Sequence, residues 1–284
     1  MLEEGSSNID KSNVVIQSLW IGGELSPLEL LTLKSFLYHG HEFHLYVYYP
    51  IETELPQGVI LKDAREILPE DAIFTYKYGN KKGLGKGSFA GFADIFRFKL
   101  LYDKGGWWVD MDVTCMKPFS ILSAYFFRSH DYHLATNSII KCPPNSRLMY
   151  NCYLRAKDKV NQENRYWTLP SAILSDEISK LNLTKYVVDK FCNPDRWELI
   201  ALYREYAYPV SPNYYAIHWM NEEWKRRGWE KQELEFDQAL DNLLIKKRIL
   251  LKYNVKNRLG RVYGYYLMVR LGFVQIYNKV KNKA

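Results

Sequence analysis

Residues 89–114, FAGFADIFRFKLLYDKGGWWVDMDVT, constrain the fold more than any other stretch of the chain. Apolar residues at Phe89, Phe92, Ala93, Phe96 and Leu100 fall on the i, i+3, i+4, i+7, i+11 stripe of an amphipathic helix, with Ser88 as the expected N-cap. Gly105 then stands where a left-handed C-cap is wanted. Past the two glycines the period changes to two. Trp107, Val109, Met111 and Val113 are expected on one face of a strand, and Trp108, Asp110 and Asp112 on the other. Two carboxylates thus share one face at the end of a hydrophobic strand. Like charges so placed repel unless a cation lies between or in front of them, and hard oxygen ligands suit Mg²⁺ or Mn²⁺. The alternative is a solvated strand end with two ordinary surface aspartates.

Upstream, residues 14–21 (VVIQSLWI) read as a first strand, and Gly22-Gly23 as the turn into a helix starting at Ser26. Ser26 as N-cap, Pro27 at the first helical position and Glu29 at the third make a capping box. Strand, Gly-Gly turn and helix is how nucleotide-binding α/β domains begin, because glycine lets a ligand approach the backbone. Residues 42–49 and 59–62 are expected as further strands. Their alternation with helices predicts a largely parallel, doubly wound sheet. Ligands of such sheets bind beyond the carboxyl ends of the strands, where the aspartate pair falls. Further on, 133–140 read as a strand, and 145–159 and 168–180 as helices. Residues 79–88 (GNKKGLGKGS) lack the glycine spacing of a P-loop, which excludes that class of ATPase. They are either a loop whose amides and lysines meet phosphate beside a helix N-terminus or a solvated linker.

Three runs of residues carry a resemblance: Ala93-Asp94-Ile95-Phe96-Arg97, Leu101-Tyr102-Asp103-Lys104-Gly105-Gly106, and Asp110-Met111-Asp112. Together they resemble the signature of the DXD sugar-binding glycosyltransferases, family 32 of the retaining enzymes and its relatives, the glucosylating clostridial toxins. Where that family has Tyr two residues before the first Asp, this chain has Trp108. Leu19-Trp20-Ile21-Gly22-Gly23 is similar to the W-I-G-G of the same group, and residues 214–224 (YYAIHWMNEEW) to its C-terminal motif.

The resemblance implies a GT-A fold of α/β class, with a Rossmann-like, mostly parallel sheet. It implies retaining, metal-dependent transfer of a hexose from a nucleotide sugar, with UDP-galactose, UDP-glucose or their N-acetyl forms as expected donors. Mn²⁺ or Mg²⁺ would be held by Asp112, Asp110 and, as a third protein ligand, His218. Trp20 would stack on the nucleobase beside Gly22, Asp94 would bond sugar or ribose hydroxyls, and Arg97 would steady the sugar or diphosphate. Asp110 would also contact ribose, while Trp108, Asn137, Asn221 and Trp224 complete the donor site. Read from the residues alone, Trp20 serves equally well as a core aromatic, and a lone His on an aromatic strand, as His218 is, is more often structural than a ligand. Asp94 and Arg97, three apart on a helix, serve equally as an ion pair worth about 0.3–0.5 kcal/mol.

Residues 242–284 hold eleven Lys or Arg and no Asp or Glu, so the net charge of +7 belongs to this stretch and the remainder is net acidic. Interleaved aromatic and aliphatic residues predict one or two amphipathic helices there, a basic tail on a domain spanning 14–241 that follows a flexible start at 1–13. Such a tail either meets an anionic membrane surface, at about 1 kcal/mol per basic residue, or packs on the domain with its basic face solvated. No recognisable module accompanies it to favour nucleic acid. The start of the chain lacks a charged-then-apolar segment and nowhere are 18 apolar residues consecutive. A cytoplasmic protein is expected, peripheral on the cytoplasmic membrane face. Four cysteines without ligand spacing are expected as free thiols of a reducing compartment, not a zinc site. The expected acceptor is a glycan or lipid-linked glycan in lipopolysaccharide, O-antigen or capsule assembly. A protein acceptor, or a non-catalytic sugar-nucleotide or glycan-binding module, are the alternatives.

Overall fold

The structure, a computed structural model, describes residues 11–80, 83, 85–206, 210–229 and 231. The basic tail expected at 242–284 and most of the expected flexible start lie outside the described residues. A short helix α1 (Lys11–Val14) leads directly into β1 (Val15–Trp20). The capping box predicted for α2 (Pro27–Tyr38) is present: Ser26 N–H donates to Glu29 Oε2 at 2.9 Å, and the Ser26 side chain accepts from the first turn.

There follow β2 (Glu42–Val47), β3 (Val59–Asp63), α3 (Ala90–Lys104), β4 (Gly106–Val109), β5 (Val113–Cys115), β6 (Phe126–Ser129) and β7 (Ala135–Cys142). The described chain continues through α4 (Arg147–Lys159), α5 (Leu169–Lys180), β8 (Val187–Val188), α6 (Trp197–Tyr206), β9 (Ala216–His218) and α7 (Asn221–Arg227). Seven strands form the main sheet in the order β3-β2-β1-β4-β7-β6-β8. Only β7 runs against its neighbours, and the other pairings are parallel.

Helices cover both faces of this sheet. On one, Leu33 and Phe36 of α2 pack on Ile16, Phe43, Trp107 and Ile139. On the other, Phe92 and Phe96 of α3, Met149 of α4 and Leu174 of α5 pack on Trp108, Phe127 and Ile140. A strand buried on both faces must be apolar throughout, which is why β4 reads Trp107-Trp108-Val109 without a polar break. Among the described residues no helix is long and apolar enough to cross a membrane. All four cysteines are free and buried.

Two local expectations are corrected. The N-cap of α3 is Phe89, and Ser88 acts from one position further out, its hydroxyl accepting the Ala90 N–H at 3.2 Å. The aspartate pair does not lie within a strand. β4 ends at Val109, the chain turns through Asp110–Asp112, and β5 resumes in a separate two-stranded sheet, antiparallel to β9. Pairing explains the break: Asp110 N–H is taken by Ser138 O of β7 at 2.9 Å, Val113 N–H turns back to Asp110 O at 3.1 Å, and β9 then claims β5. The Thr32 hydroxyl of α2 secures the turn from outside by donating to Met111 O at 2.8 Å. Facing nevertheless follows the predicted alternation, since Trp107, Val109, Met111 and Val113 share one core cluster and Trp108 belongs to the other.

Candidate functional site

The turn after β4 presents Asp110 and Asp112 at the carboxyl edge of the parallel strands. Register then supplies the third group. In the β5–β9 ladder Val113 pairs with His218, so His218 arrives beside Asp112 from the far end of the described chain, and its Nε2 lies 3.5 Å from Asp112 Oδ1. One ligand atom from each of Asp110, Asp112 and His218 lies within 4.8 Å of the other two.

The donor set fits a divalent cation. Asp110 Oδ1 is taken by the Trp108 indole N–H at 2.8 Å and by Arg97 Nη1 at 3.0 Å. Asp112 Oδ2 accepts the Asn221 backbone N–H at 2.6 Å. The second oxygen of each aspartate, with His218 Nε2, is what the chain leaves to a cation, and two carboxylate oxygens with one imidazole nitrogen suit Mn²⁺ or Mg²⁺. Electrostatics run the same way. Burial raises the Asp110 pKa and the Asp112 charge adds to that, against the pull of Arg97. A cation in front of the pair would relieve both. Burial opposes a charged His218, but Asp195 and Asp112 outweigh it and raise its pKa.

Arg97 and Asp94 of α3 reach the same cavity. The Arg97 guanidinium lies 3.2 Å from Asp94 Oδ1, donates to Asn137 O, and rests on the Trp108 ring 4.8 Å from its centroid. Both residues therefore form the ion pair that helical spacing allows, and both still line the cavity. Asn137 of β7 joins them through Nδ2 to Asp94 and Oδ1 to the Ser171 hydroxyl of α5. Burial lifts the Asp94 carboxyl to about 6 in spite of Arg97.

The cavity holding these groups has a volume of about 1520 Å³. Trp20 lines it from the end of β1, with its indole N–H bonded to Glu24 O at 3.1 Å. Gly22 is not in the lining; it has φ +145° and lies against Trp20, where a Cβ would come 3.6 Å from the indole nitrogen. Asn221 lines the cavity and binds Asp112 and Glu29. Trp224 also borders it but has no exposed surface and spends its indole N–H on Trp219 O at 2.7 Å. The glycine-rich loop reaches the cavity edge and is tied to α7, Gly85 N–H to Glu222 at 3.3 Å and Lys225 Nζ to Lys86 O at 3.1 Å.

Several residues at the site were not singled out from sequence. Arg128 is a buried cation directly after the apolar run Phe126-Phe127, and that contrast was its one visible signal. Asp195 and Asn193, in the irregular stretch before α6, carried none. Ser171, His130, Tyr132 and Tyr166 line the cavity, the two tyrosines still 67 % and 53 % exposed.

Residues 53–128 match the family described as "Glycosyltransferase sugar-binding region containing DXD motif". That segment contains Asp94, Arg97, Asp110 and Asp112. No curated protein matches the sequence. Among solved structures the chain is similar to "PaToxG Glycosyltransferase", with 12 % identity and a TM-score of 0.43 over 84 % of each chain. It is also similar to a transferase solved as a double cysteine-to-serine mutant, with 11 % identity and a TM-score of 0.41 over 63 % of this chain and 87 % of that one.

Proposed function

We propose that this chain, whose residues 53–128 match a DXD sugar-binding region, is a metal-dependent retaining glycosyltransferase that moves a hexose from a UDP-sugar to a glycan acceptor. The observation that carries the reading is the convergence of Asp110, Asp112 and His218 on one point of a cavity that also contains Trp20, Asp94 and Arg97. When bound there, Mn²⁺ or Mg²⁺ supplies Lewis-acid stabilisation of the diphosphate leaving group.

Asp112 and His218 would hold the cation directly, with Asp110 shared between it and Arg97. Trp20 offers its indole face to the nucleobase from the end of β1. Asp94, kept in place by Asn137, accepts hydroxyls of the donor sugar or ribose. Asn221 holds Asp112 through its backbone N–H while its side chain faces the donor. Each carboxylate lining the cavity already has a partner in the chain: Asp94 and Asp110 have Arg97, Asp112 has Asn221, Asp195 has Arg128, Glu222 has Gly85, and Glu223 has Arg226. Attack by the acceptor hydroxyl on the face of the leaving group, without a covalent sugar–enzyme intermediate, is the route proposed for retention. Tyr132 and Tyr166 give the cavity exposed aromatic surface suited to stacking on acceptor sugar rings. The basic composition of 242–284 supports a lipid-linked acceptor at an anionic cytoplasmic membrane face, as in lipopolysaccharide, O-antigen or capsule assembly.

Isothermal titration with UDP and with GDP, each with Mn²⁺ and with EDTA, tests this reading. Metal-dependent UDP binding is expected. Metal-dependent GDP binding would replace the donor with a GDP-sugar, and binding of neither by the folded protein would refute the site.

A further inference from the structure

The geometry points to Asp195, gripped by Arg128, as the residue that positions His218 for the cation: it takes the imidazole Nδ1–H and so turns the Nε2 lone pair toward Asp112. This rests on the metal-site reading above.

His218 Nδ1 lies 2.7 Å from Asp195 Oδ1. The Asp195 side chain is 12 % exposed, and Arg128 reaches both its oxygens, Nη2 to Oδ1 at 2.6 Å and Nη1 to Oδ2 at 3.2 Å. A carboxylate forked by a guanidinium stays ionised and can only accept, so the ring nitrogen facing it must carry the hydrogen. Arg128 Nη1 is also 3.3 Å from Nδ1 and could in principle donate to it, which would favour the opposite tautomer. Both hydrogens of that nitrogen have nearer acceptors, however, Ser138 Oγ at 2.9 Å and Asp195 Oδ2 at 3.2 Å. In the neutral imidazole, the form that binds a cation, the tautomer is thereby fixed with Nε2 bare.

The backbone of His218 is pinned by the same segment. Asn193 Oδ1 accepts the His218 N–H at 2.7 Å, and Asn193 Nδ2 donates to His218 O at 3.1 Å. Arg128 Nη2 donates to Asn193 O at 2.6 Å. Asn193-Pro194-Asp195 therefore brackets His218 on main chain and ring together, and one buried arginine holds both arms. A ring locked in this way loses little freedom on ligation and is a better donor than a free imidazole, which is why outer-shell partners of this kind are commonly worth 10–100-fold in metal affinity.

The test titrates Mn²⁺ alone into the full chain and follows free Mn²⁺ by electron paramagnetic resonance. The proteins are wild type, Asp112→Ala, Asp195→Asn, His218→Ala, and the pair Asp195→Asn with His218→Ala. Asp195→Asn keeps the shape of the side chain and an acceptor for Arg128, and circular dichroism checks its fold. Wild type is expected to bind and Asp112→Ala to fail. Asp195→Asn should bind 10–100-fold more weakly, and the double variant no more weakly than His218→Ala alone, since a positioning residue has nothing left to position. An unchanged affinity in Asp195→Asn, or an equal further loss in the His218→Ala background, would overturn the inference and leave the metal site standing. Absence of Mn²⁺ binding by wild type would overturn both. One readout needs no variant: long-range proton–nitrogen NMR of the Mg²⁺-loaded wild type should show His218 protonated at Nδ1, and a bare Nδ1 would overturn the assignment.

Discussion

Arg97 Nη1 lies 3.0 Å from Asp110 Oδ1, and the guanidinium that makes this contact is almost wholly buried. Arg97 is thus a fixed positive charge of the site, set between Asp94 and Asp110 before any donor arrives, with the Trp108 ring beneath it. Trp108 in turn donates its indole N–H to the same Asp110 oxygen. The ring that stands where Tyr is usual therefore still makes a polar contact.

From that arrangement Arg97→Ala is expected to leave the buried Asp94 and the partly buried Asp110 without their cation, at a cost of about 3 kcal/mol. For a chain of this size that lowers the melting temperature by roughly 10 °C. Arg97→Lys keeps the charge but cannot reach Asp94, Asp110 and Asn137 O together or lie flat on the indole. It should fold, melt within a few degrees of wild type, and transfer sugar at least about tenfold more slowly. Differential scanning calorimetry paired with a transfer assay separates the two variants. Wild-type activity in Arg97→Lys would mean that charge alone matters at this position.

Asp112→Asn is expected to abolish metal-dependent UDP binding while preserving the fold. The amide oxygen of Asn still accepts the Asn221 N–H, and Thr32 still holds the Met111 carbonyl, so the turn keeps its shape. What is lost is a charged ligand. Titration with UDP and Mn²⁺ should show no saturable binding, with a melting temperature close to wild type. Unaltered metal-dependent binding would remove Asp112 from the site.

The two residues just discussed differ in how they could be seen from sequence. The helix that carries Asp94 and Arg97, and their neighbouring positions on it, rest on local spacing, as does the Ser26 capping box, and both helices formed there with only the N-cap of α3 moved by one residue; a place in a donor site came to Asp94 and Arg97 from the resemblance alone. The aspartate pair was visible, but its setting was not. Seven residues of alternating pattern read as one strand, whereas the strand is cut at Val109 because β9, contributed from far along the chain, pairs with β5. No local pattern announces a partner that distant. Asp195 was invisible for the same reason, and Arg128 showed no more than a charge beside apolar residues: each has a role only through the other and through His218, and those three meet by tertiary packing alone.

Asp94 also gives the site a pH signature. Burial lifts its pKa to about 6, above the ordinary carboxylate value. A raised acid pKa means that the folded state holds the proton more tightly than the unfolded chain. Its contribution to stability is therefore greatest below the ordinary value and is lost as pH rises through about 6. A rise of that size corresponds to about 3 kcal/mol. The metal-free wild type should lose stability between pH 4 and 7 relative to Asp94→Asn, in which that group cannot titrate, and urea unfolding at several pH values measures the difference. Parallel pH dependence in the two proteins would show that folding leaves the Asp94 pKa at its ordinary value. Donor binding has the opposite slope, since an ionised Asp94 is the better hydroxyl acceptor, so UDP-sugar affinity should rise through the same window.

Trp20 tests the nucleotide end of the cavity independently of the metal. Its ring lines the cavity at the end of β1 and is only half-buried, while its indole N–H is spent on Glu24 O. The free part of the side chain is its face. Stacking of a base on such a ring is worth about 1–3 kcal/mol, so Trp20→Ala should weaken UDP by roughly 10–100-fold. Trp20→Phe, which keeps an aromatic face, should recover most of that loss, whereas Trp20→Leu, apolar but without a π-face, should not. Inorganic pyrophosphate with Mn²⁺ has no base, and its affinity should be the same in all four proteins. An equal loss for pyrophosphate would mean that Trp20 acts by holding the β1 end in shape. An unchanged UDP affinity in Trp20→Ala would move the nucleobase away from β1 altogether.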